Sequence, residues 1–426
     1  VSDIEQIQRR TVKVLALGQV LGGFGLGSTL SVGSLLALDL SGSEAWAGSA
    51  ATFSTLGSAI WAIPLSRLAY AKGRRVSLAL GAGFAISGAL AVINAAGLRS
   101  FPLLLLGIFL LGAGSATSLQ ARFAATDIPS AGKTGRSIGL VVWATTVGAV
   151  TGPNLFGPGE QLGQAMGLAP LAGPFLFTVA AQTCSTLVFW FGLKPDPLKY
   201  AQQLQNDEGK ARHKISFKSA IETLKQYSVA RFAVLSIALS HMVMVSVMAM
   251  TPVHMQHLGY DIVVVGFTIS LHIAGMYALS PLMGYLADKV GKIQTIFLGQ
   301  ALFVAALLFA GLGHADRLMV TLGLTLLGLG WSASTVAGSA LLTSTLPAEE
   351  KTNVQGLSDS LMNLSGAFGG AIAGLLLASF HFEGLNAIAL IPVTVVTVLA
   401  FAISKKKTQR IASNSSQVGP EQPPSF

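Results

Sequence analysis

Twelve apolar runs, each long enough to cross a lipid bilayer, follow one another along 426 residues. They lie at 13–38, 47–69, 76–98, 102–125, 137–159, 171–193, 230–256, 262–286, 291–313, 317–345, 353–379 and 384–403. A helix needs about 20 mostly apolar residues to span the hydrocarbon core. Inside that core every backbone donor and acceptor must be satisfied within the segment, so an α-helix is the form such runs take. The sequence therefore specifies an all-α membrane protein with twelve transmembrane helices. Composition agrees. Hydrophobic residues make up 52% and charged residues 11%, where a soluble domain carries about 25% charged residues.

The chain also repeats itself at an offset of 218 residues. Gly73 maps onto Gly291, Gly112 onto Gly330, Gly148 onto Gly366 and Gly152 onto Gly370. Glycines that recur at one spacing, each in apolar surroundings, point to two halves of one architecture. In a membrane chain such halves make a transporter with its site between them. The expected organisation is a six-helix bundle at 1–193, a linker at 194–229, a second six-helix bundle at 230–404 and a disordered tail at 405–426. The tail is basic and then rich in Ser, Gln and Pro, a composition that cannot build a core.

Charge placement sets the expected orientation. With both termini in the cytoplasm, 24 of the 27 Lys and Arg residues fall in cytoplasmic loops or tails. The positive-inside rule then places the chain in the cytoplasmic (inner) membrane in that sense. The net charge of +9 belongs to loops that face anionic headgroups and calls for no nucleic-acid partner. Cys184 is the only cysteine, which excludes an internal disulfide and a thiolate metal cluster. No Gly-x-x-x-x-Gly-Lys-Ser/Thr run cradles a phosphate, which argues against an ATP-driven pump, and no nucleophile–base motif indicates an enzyme. No cofactor is expected, and the chain is read as a monomer.

The turn Gly284-Tyr285-Leu286-Ala287-Asp288-Lys289-Val290-Gly291-Lys292 resembles the loop signature of the major facilitator superfamily. The resemblance covers nearly the whole chain and implies two rocking bundles of six helices. It gives Gly284, Asp288, Lys289, Gly291 and Lys292 a gating role on the cytoplasmic side. The equivalent first-half turn is degraded. It keeps Gly73, Arg74 and Arg75, but Tyr70 stands where the acid belongs. Asp127 is then the acid expected to pair with Arg74 or Arg75. A second resemblance lies in segment five, where Gly139, Gly148, Gly152 and Pro153 match a pattern associated with antiporters of that family. The same glycines also suit close helix packing.

Ionisable groups inside apolar segments are costly and therefore informative. Asp359 lies about two turns into segment eleven and is the leading candidate for proton coupling. His272 is the runner-up, because an imidazole titrates near neutral pH. Arg122 sits near the cytoplasmic end of segment four, where a long side chain can snorkel to the interface.

Five of the ten methionines fall between His241 and His257. Met244 and Met248 are four residues apart and share a helix face, as do His272 and Met276 in segment eight. Thioether and imidazole ligands suit copper(I). These pairs, with Met250, Pro252 and the Arg122 to Asp127 run, resemble the copper-importing branch of the superfamily that supplies cytochrome oxidase assembly. His241 and His254 complete the candidate set. Methionine is equally an adaptable filler of apolar walls. Three functions therefore stand. The first is proton-coupled export of small hydrophobic or cationic molecules, the second copper(I) import, and the third a receptor or structural membrane protein. The partners expected are a small-molecule or metal-ion substrate, protons and membrane lipids.

Overall fold

A computed structural model describes residues 2–42, 46, 49–128, 133–151, 155–204, 217–260 and 262–417. The first bundle is built from α1 (Ser2–Ser41), α2 (Ser49–Lys72), α3 (Arg74–Gly97), α4 (Phe101–Ala124), α5 (Thr134–Thr151), the short α6 (Phe156–Ala165) and α7 (Pro174–Gly192). Two surface helices follow, α8 (Pro197–Leu204) and α9 (Phe217–Gln226). The second bundle holds α10 (Ser228–His257), α11 (Ile262–Tyr277), α12 (Ser280–Lys289), α13 (Lys292–Leu312), α14 (Arg317–Thr345) and α15 (Ala348–Gln417).

Eight described stretches are long and apolar enough to cross a membrane. The last of them turns back at His381, whose φ is 57°, and so crosses twice. With α1, α2 and α5 the total is twelve crossings in two sets of six. The segment expected at 262–286 is split between α11 and α12, because Pro281 at the start of α12 has no N–H to continue the ladder. The final helix runs on through residues 405–417, where the sequence composition suggested disorder.

The repeat has a conformational meaning. Gly73 has φ 96° and Gly291 has φ 125°, a region that side-chain-bearing residues rarely enter. Each ends one crossing and begins the next, so both halves make the same sharp turn. Gly148 and Gly366 are also equivalent. A Cβ on Gly148 would lie 2.6 Å from the Cα of Gly23 in α1, while one on Gly366 would lie 2.6 Å from the His241 ring in α10. Subtracting 218 from His241 gives Gly23. Where the first half brings two backbones together, the second inserts an imidazole.

The two bundles meet along two seams. In one, α5 lies on α12, and Ser280 donates its hydroxyl to the Gly139 carbonyl at 2.9 Å. In the other, α2 lies on α15, and Ser360 donates to the Ala59 carbonyl at 2.5 Å. The N-terminal segment packs at the end that carries the loop motifs, where Gln8 donates to the Ala125 carbonyl at 2.7 Å.

Candidate functional site

The loop motif of the second half grips the first. Asp288 accepts from the backbone N–H of Gly135 at 2.8 Å and of Arg136 at 2.9 Å, with one carboxylate oxygen each. These groups open α5, and a helix N-terminus carries unsatisfied donors and a partial positive charge. Gly284 packs backbone to backbone on Gly135, so a larger residue at either position would hold the carboxylate away.

The first half has no acid at Tyr70 to do the same, and its grip is built differently. Arg74 is fully buried. Its Nε and Nη2 donate to the two oxygens of Asp127 at 2.8 and 3.1 Å, and Nη2 also donates to Gln355 of α15 at 2.7 Å. Asp127 is thus the partner of Arg74, as its sequence position suggested. Arg75 instead lies over the Trp190 ring, while its backbone N–H reaches Asp196 at 2.7 Å. Asp196 also accepts from Leu198 and Lys199 at the start of α8. Asp196 thus ties the start of α3 to the linker, a relation that the sequence spacing did not reveal.

Between the seams lies a second buried ion pair. Arg122 of α4 donates through Nη2 to Oδ1 of Asp359 on α15 at 2.5 Å, with side chains 2% and 0% exposed. Arg122 therefore does not snorkel to the interface. It points into the gap between the bundles, where the Asp359 carboxylate compensates its charge. The Met362 sulfur lies 4.0 Å from the same nitrogen. Nε of Arg122 and Oδ2 of Asp359 are buried without a partner.

An aromatic group adjoins the pair. The Trp331 indole of α14 donates to Nδ1 of His241 at 2.9 Å. An indole N–H only donates, so the neutral His241 ring carries its proton on Nε2. Tyr277 stands edge-on to Trp331, with centroids 5.6 Å apart. His241 and Tyr277 both lie within electrostatic reach of Arg122. Trp331 and Tyr277 escaped the sequence reading, although subtracting 218 takes them to Ala113 and Ala59. A small-to-large contrast between halves was the available signal.

The proposed metal set divides. Met244, Met248 and Met276 share one apolar cluster of the second bundle. His272 turns to α14, where Nδ1 donates to the Leu324 carbonyl at 2.8 Å, and its Nε2 is buried without a partner. His254 is elsewhere. It stacks on Phe382 at 4.1 Å and meets the His314 carbonyl at 2.8 Å. With His257, His314, His381 and Glu383 it lines a cavity of about 500 Å³ at the opposite end from the loop motifs. Among the described residues no group of three or more His, Cys, Asp or Glu is arranged to hold a metal. Of the antiporter-like pattern, Gly139 packs on the Ser280 carbonyl and Gly148 on α1, while Gly152 and Pro153 lie outside the described residues. Lys289 is exposed, and Lys292 opens α13.

Two six-helix membrane bundles, joined at one end by motif-built grips and bridged by a buried ion pair, have the construction of a carrier. The chain belongs to the Major Facilitator Superfamily, whose family model matches residues 15–274 and 233–424. It is 37% identical over 386 residues to the uncharacterised MFS-type transporter YddS of Bacillus subtilis (strain 168), covering 89% of this chain and 88% of that protein. It is 28% identical to the riboflavin transporter RfnT of Brucella anthropi, covering 89% and 92%. The fold is also that of the human organic anion transporter MFSD10 (TETRAN), with a TM-score of 0.72 at 16% identity over 92% and 99% of the two chains.

Proposed function

We propose that this transporter is a proton-coupled exporter of small organic molecules in the cytoplasmic membrane, with both termini in the cytoplasm and Asp359 as the group that takes the proton. The observation that carries this reading is the Arg122–Asp359 pair, because it is buried and spans the two bundles. Protonating Asp359 removes one charge and leaves Arg122 without its counter-ion. Breaking a buried pair from one side is worth about 3–5 kcal/mol. Moving a two-state equilibrium from 1:99 to 99:1 takes about 5.5 kcal/mol. One proton thus supplies most of the free energy needed to release the latched arrangement. The charged groups that act on Asp359 are Arg122 from α4 and Arg74 from α3.

The loop motifs, Asp288 on α5 and Arg74 on Gln355, then serve as the cytoplasmic gate. The charge distribution supports that orientation. The glycine pattern at Gly139 and Gly148 supports exchange, and a relative named as a riboflavin transporter supports a small organic substrate. The test uses purified protein in liposomes with an internal pH dye. Addition of substrate moves protons through the wild type, while Asp359→Asn moves none even at saturating substrate. Unaltered proton movement in Asp359→Asn removes the reading.

Copper(I) import is a second reading. It is supported by the shared cluster of Met244, Met248 and Met276 and by the unpartnered Nε2 of His272. Nδ1 donates to a carbonyl, so Nε2 of the neutral ring keeps its lone pair. Copper accumulation that falls to the empty-vector level in Met244→Ala and His272→Ala supports it. Accumulation in the wild type no greater than that level removes it.

A further inference from the structure

The two buried ion pairs, Arg74–Asp127 at the loop-motif end and Arg122–Asp359 between the bundles, are used differently. Arg74 and Asp127 meet through two parallel hydrogen bonds, nitrogen to each oxygen. Arg122 and Asp359 meet through one, leaving a donor, Nε, and an acceptor, Oδ2, of the same paired groups buried without a partner. A guanidinium and a carboxylate can engage in two bonds at once, and buried polar groups are ordinarily satisfied. An unmatched donor and an unmatched acceptor on paired groups are complementary to a carbonyl beside an N–H, the edge of a lactam or imide. The pair is also charge-balanced. A cation entering here meets Arg122, and an anion meets Asp359, so a neutral edge suits it best.

The aromatic group continues the same surface. Gly366 is seven residues beyond Asp359 on α15, on the same helix face and about 10 Å along the axis. The His241 ring occupies the space beside Gly366, 6.2 Å from the Trp331 ring, which in turn lies 5.6 Å from Tyr277. Rings and polar edge therefore lie within the length of a fused two- or three-ring molecule. None of these five residues has a counterpart in the other half. The offset takes His241, Tyr277 and Trp331 to Gly23, Ala59 and Ala113, Arg122 to Ala340 and Asp359 to Val141. Residues that served the shared scaffold would recur, as Gly73 and Gly291 do.

We propose that Arg122, Asp359, His241, Tyr277 and Trp331 form the recognition site for a neutral, planar heteroaromatic molecule with a lactam or imide edge. Its carbonyl accepts from Nε of Arg122, its N–H donates to Oδ2 of Asp359, and its rings pack on the aromatic group. This rests on the reading that the chain is a proton-coupled transporter whose bundles the Arg122–Asp359 pair joins, with Asp359 as the group that takes the proton.

The probes are riboflavin and lumichrome, which carry the imide edge, N3-methylriboflavin, which lacks its N–H, and ethidium, a planar cation without such an edge. Binding to the full-length protein in detergent is read by tryptophan quenching, and proton movement in liposomes by a red-emitting pH dye. Riboflavin or lumichrome binds, and N3-methylation weakens binding by about tenfold or more, as expected for a lost bond to a charged group. Trp331→Leu weakens it similarly, while Trp331→Phe keeps most of it. Equal binding of riboflavin and its N3-methyl form, or no binding of either imide probe, overturns the proposal. Because the N3-methyl comparison changes the ligand alone, it holds even if a variant fails to fold. Proton movement evoked by ethidium but by neither imide probe sinks the recognition site and leaves proton coupling standing. Imide binding and transport without proton movement does the reverse.

Discussion

Arg122 and Asp359 join the two bundles through one buried hydrogen bond of 2.5 Å, on helices whose contacting residues are 237 positions apart. A buried pair of this kind is poor at stabilising a fold but strongly penalises the loss of one member. Arg122→Leu and Asp359→Leu should each destabilise the latched protein by about 3–5 kcal/mol. The double variant should lose less than either single one, since it leaves no uncompensated charge. Thermal unfolding of the four proteins in one detergent closes the cycle. Losses that simply add would show that the two charges do not depend on one another.

Arg74 should behave differently, because Asp127 and the side chain of Gln355 take the donors of its Nε and Nη2, while only Nη1 is buried without a partner. Lysine keeps the charge but not the fork. Arg74→Lys should therefore lower stability by about 1.5–3 kcal/mol, the worth of a hydrogen bond to a charged group. The protons moved per substrate in liposomes should stay unchanged. A changed proton count would place Arg74 in the coupling step rather than in the frame around it.

The difference between these two arginines marks how far the sequence could be read. Twelve apolar runs and the glycine offset were enough for the two-bundle fold, because bilayer thickness and backbone satisfaction leave one solution for such runs. Gly73 and Gly291 were legible as turns because positive φ demands glycine. Arg122 and Asp359 were each visible as costly charges in apolar segments, yet their pairing was not. Nothing local records which helices of the two bundles face each other across the gap. His241 was noticed as a ligand type, while its true neighbours Trp331 and Gly366 lie on other helices. Met244 and Met248 are on one helix face as their spacing required, but His272 turned to Leu324, since periodicity fixes a face and not the helix that it meets.

The grip of Asp288 on the start of α5 predicts a shift in conformational balance. Asn at this position keeps one acceptor and loses the charge that the helix terminus favours, worth about 0.3–1 kcal/mol and up to about 2 in a partly buried site. Lys133 and Lys289 are exposed near the two sides of this grip, so spin labels there report its separation. Asp288→Asn should broaden the distance distribution toward longer values at constant thermal stability of each bundle. An unchanged distribution would show that the other seam alone sets the latched state.

Gly139 and Gly148 sit on the same helix and separate gating from folding. A Cβ on Gly139 would strike the Ser280 backbone across the seam between bundles, whereas one on Gly148 would strike Gly23 within the first bundle. Overpacking a tight contact costs about 1–3 kcal/mol. The seam can relieve it by parting, since the proposed transport cycle separates these two helices. The interior of one bundle has no such outlet. Gly139→Ala should therefore widen the Lys133–Lys289 distance while the unfolding temperature holds. Gly148→Ala should lower the unfolding temperature by several degrees with little change in that distance. If both variants lost stability alike, α5 would be a fixed strut of the fold and not a moving face of the gate.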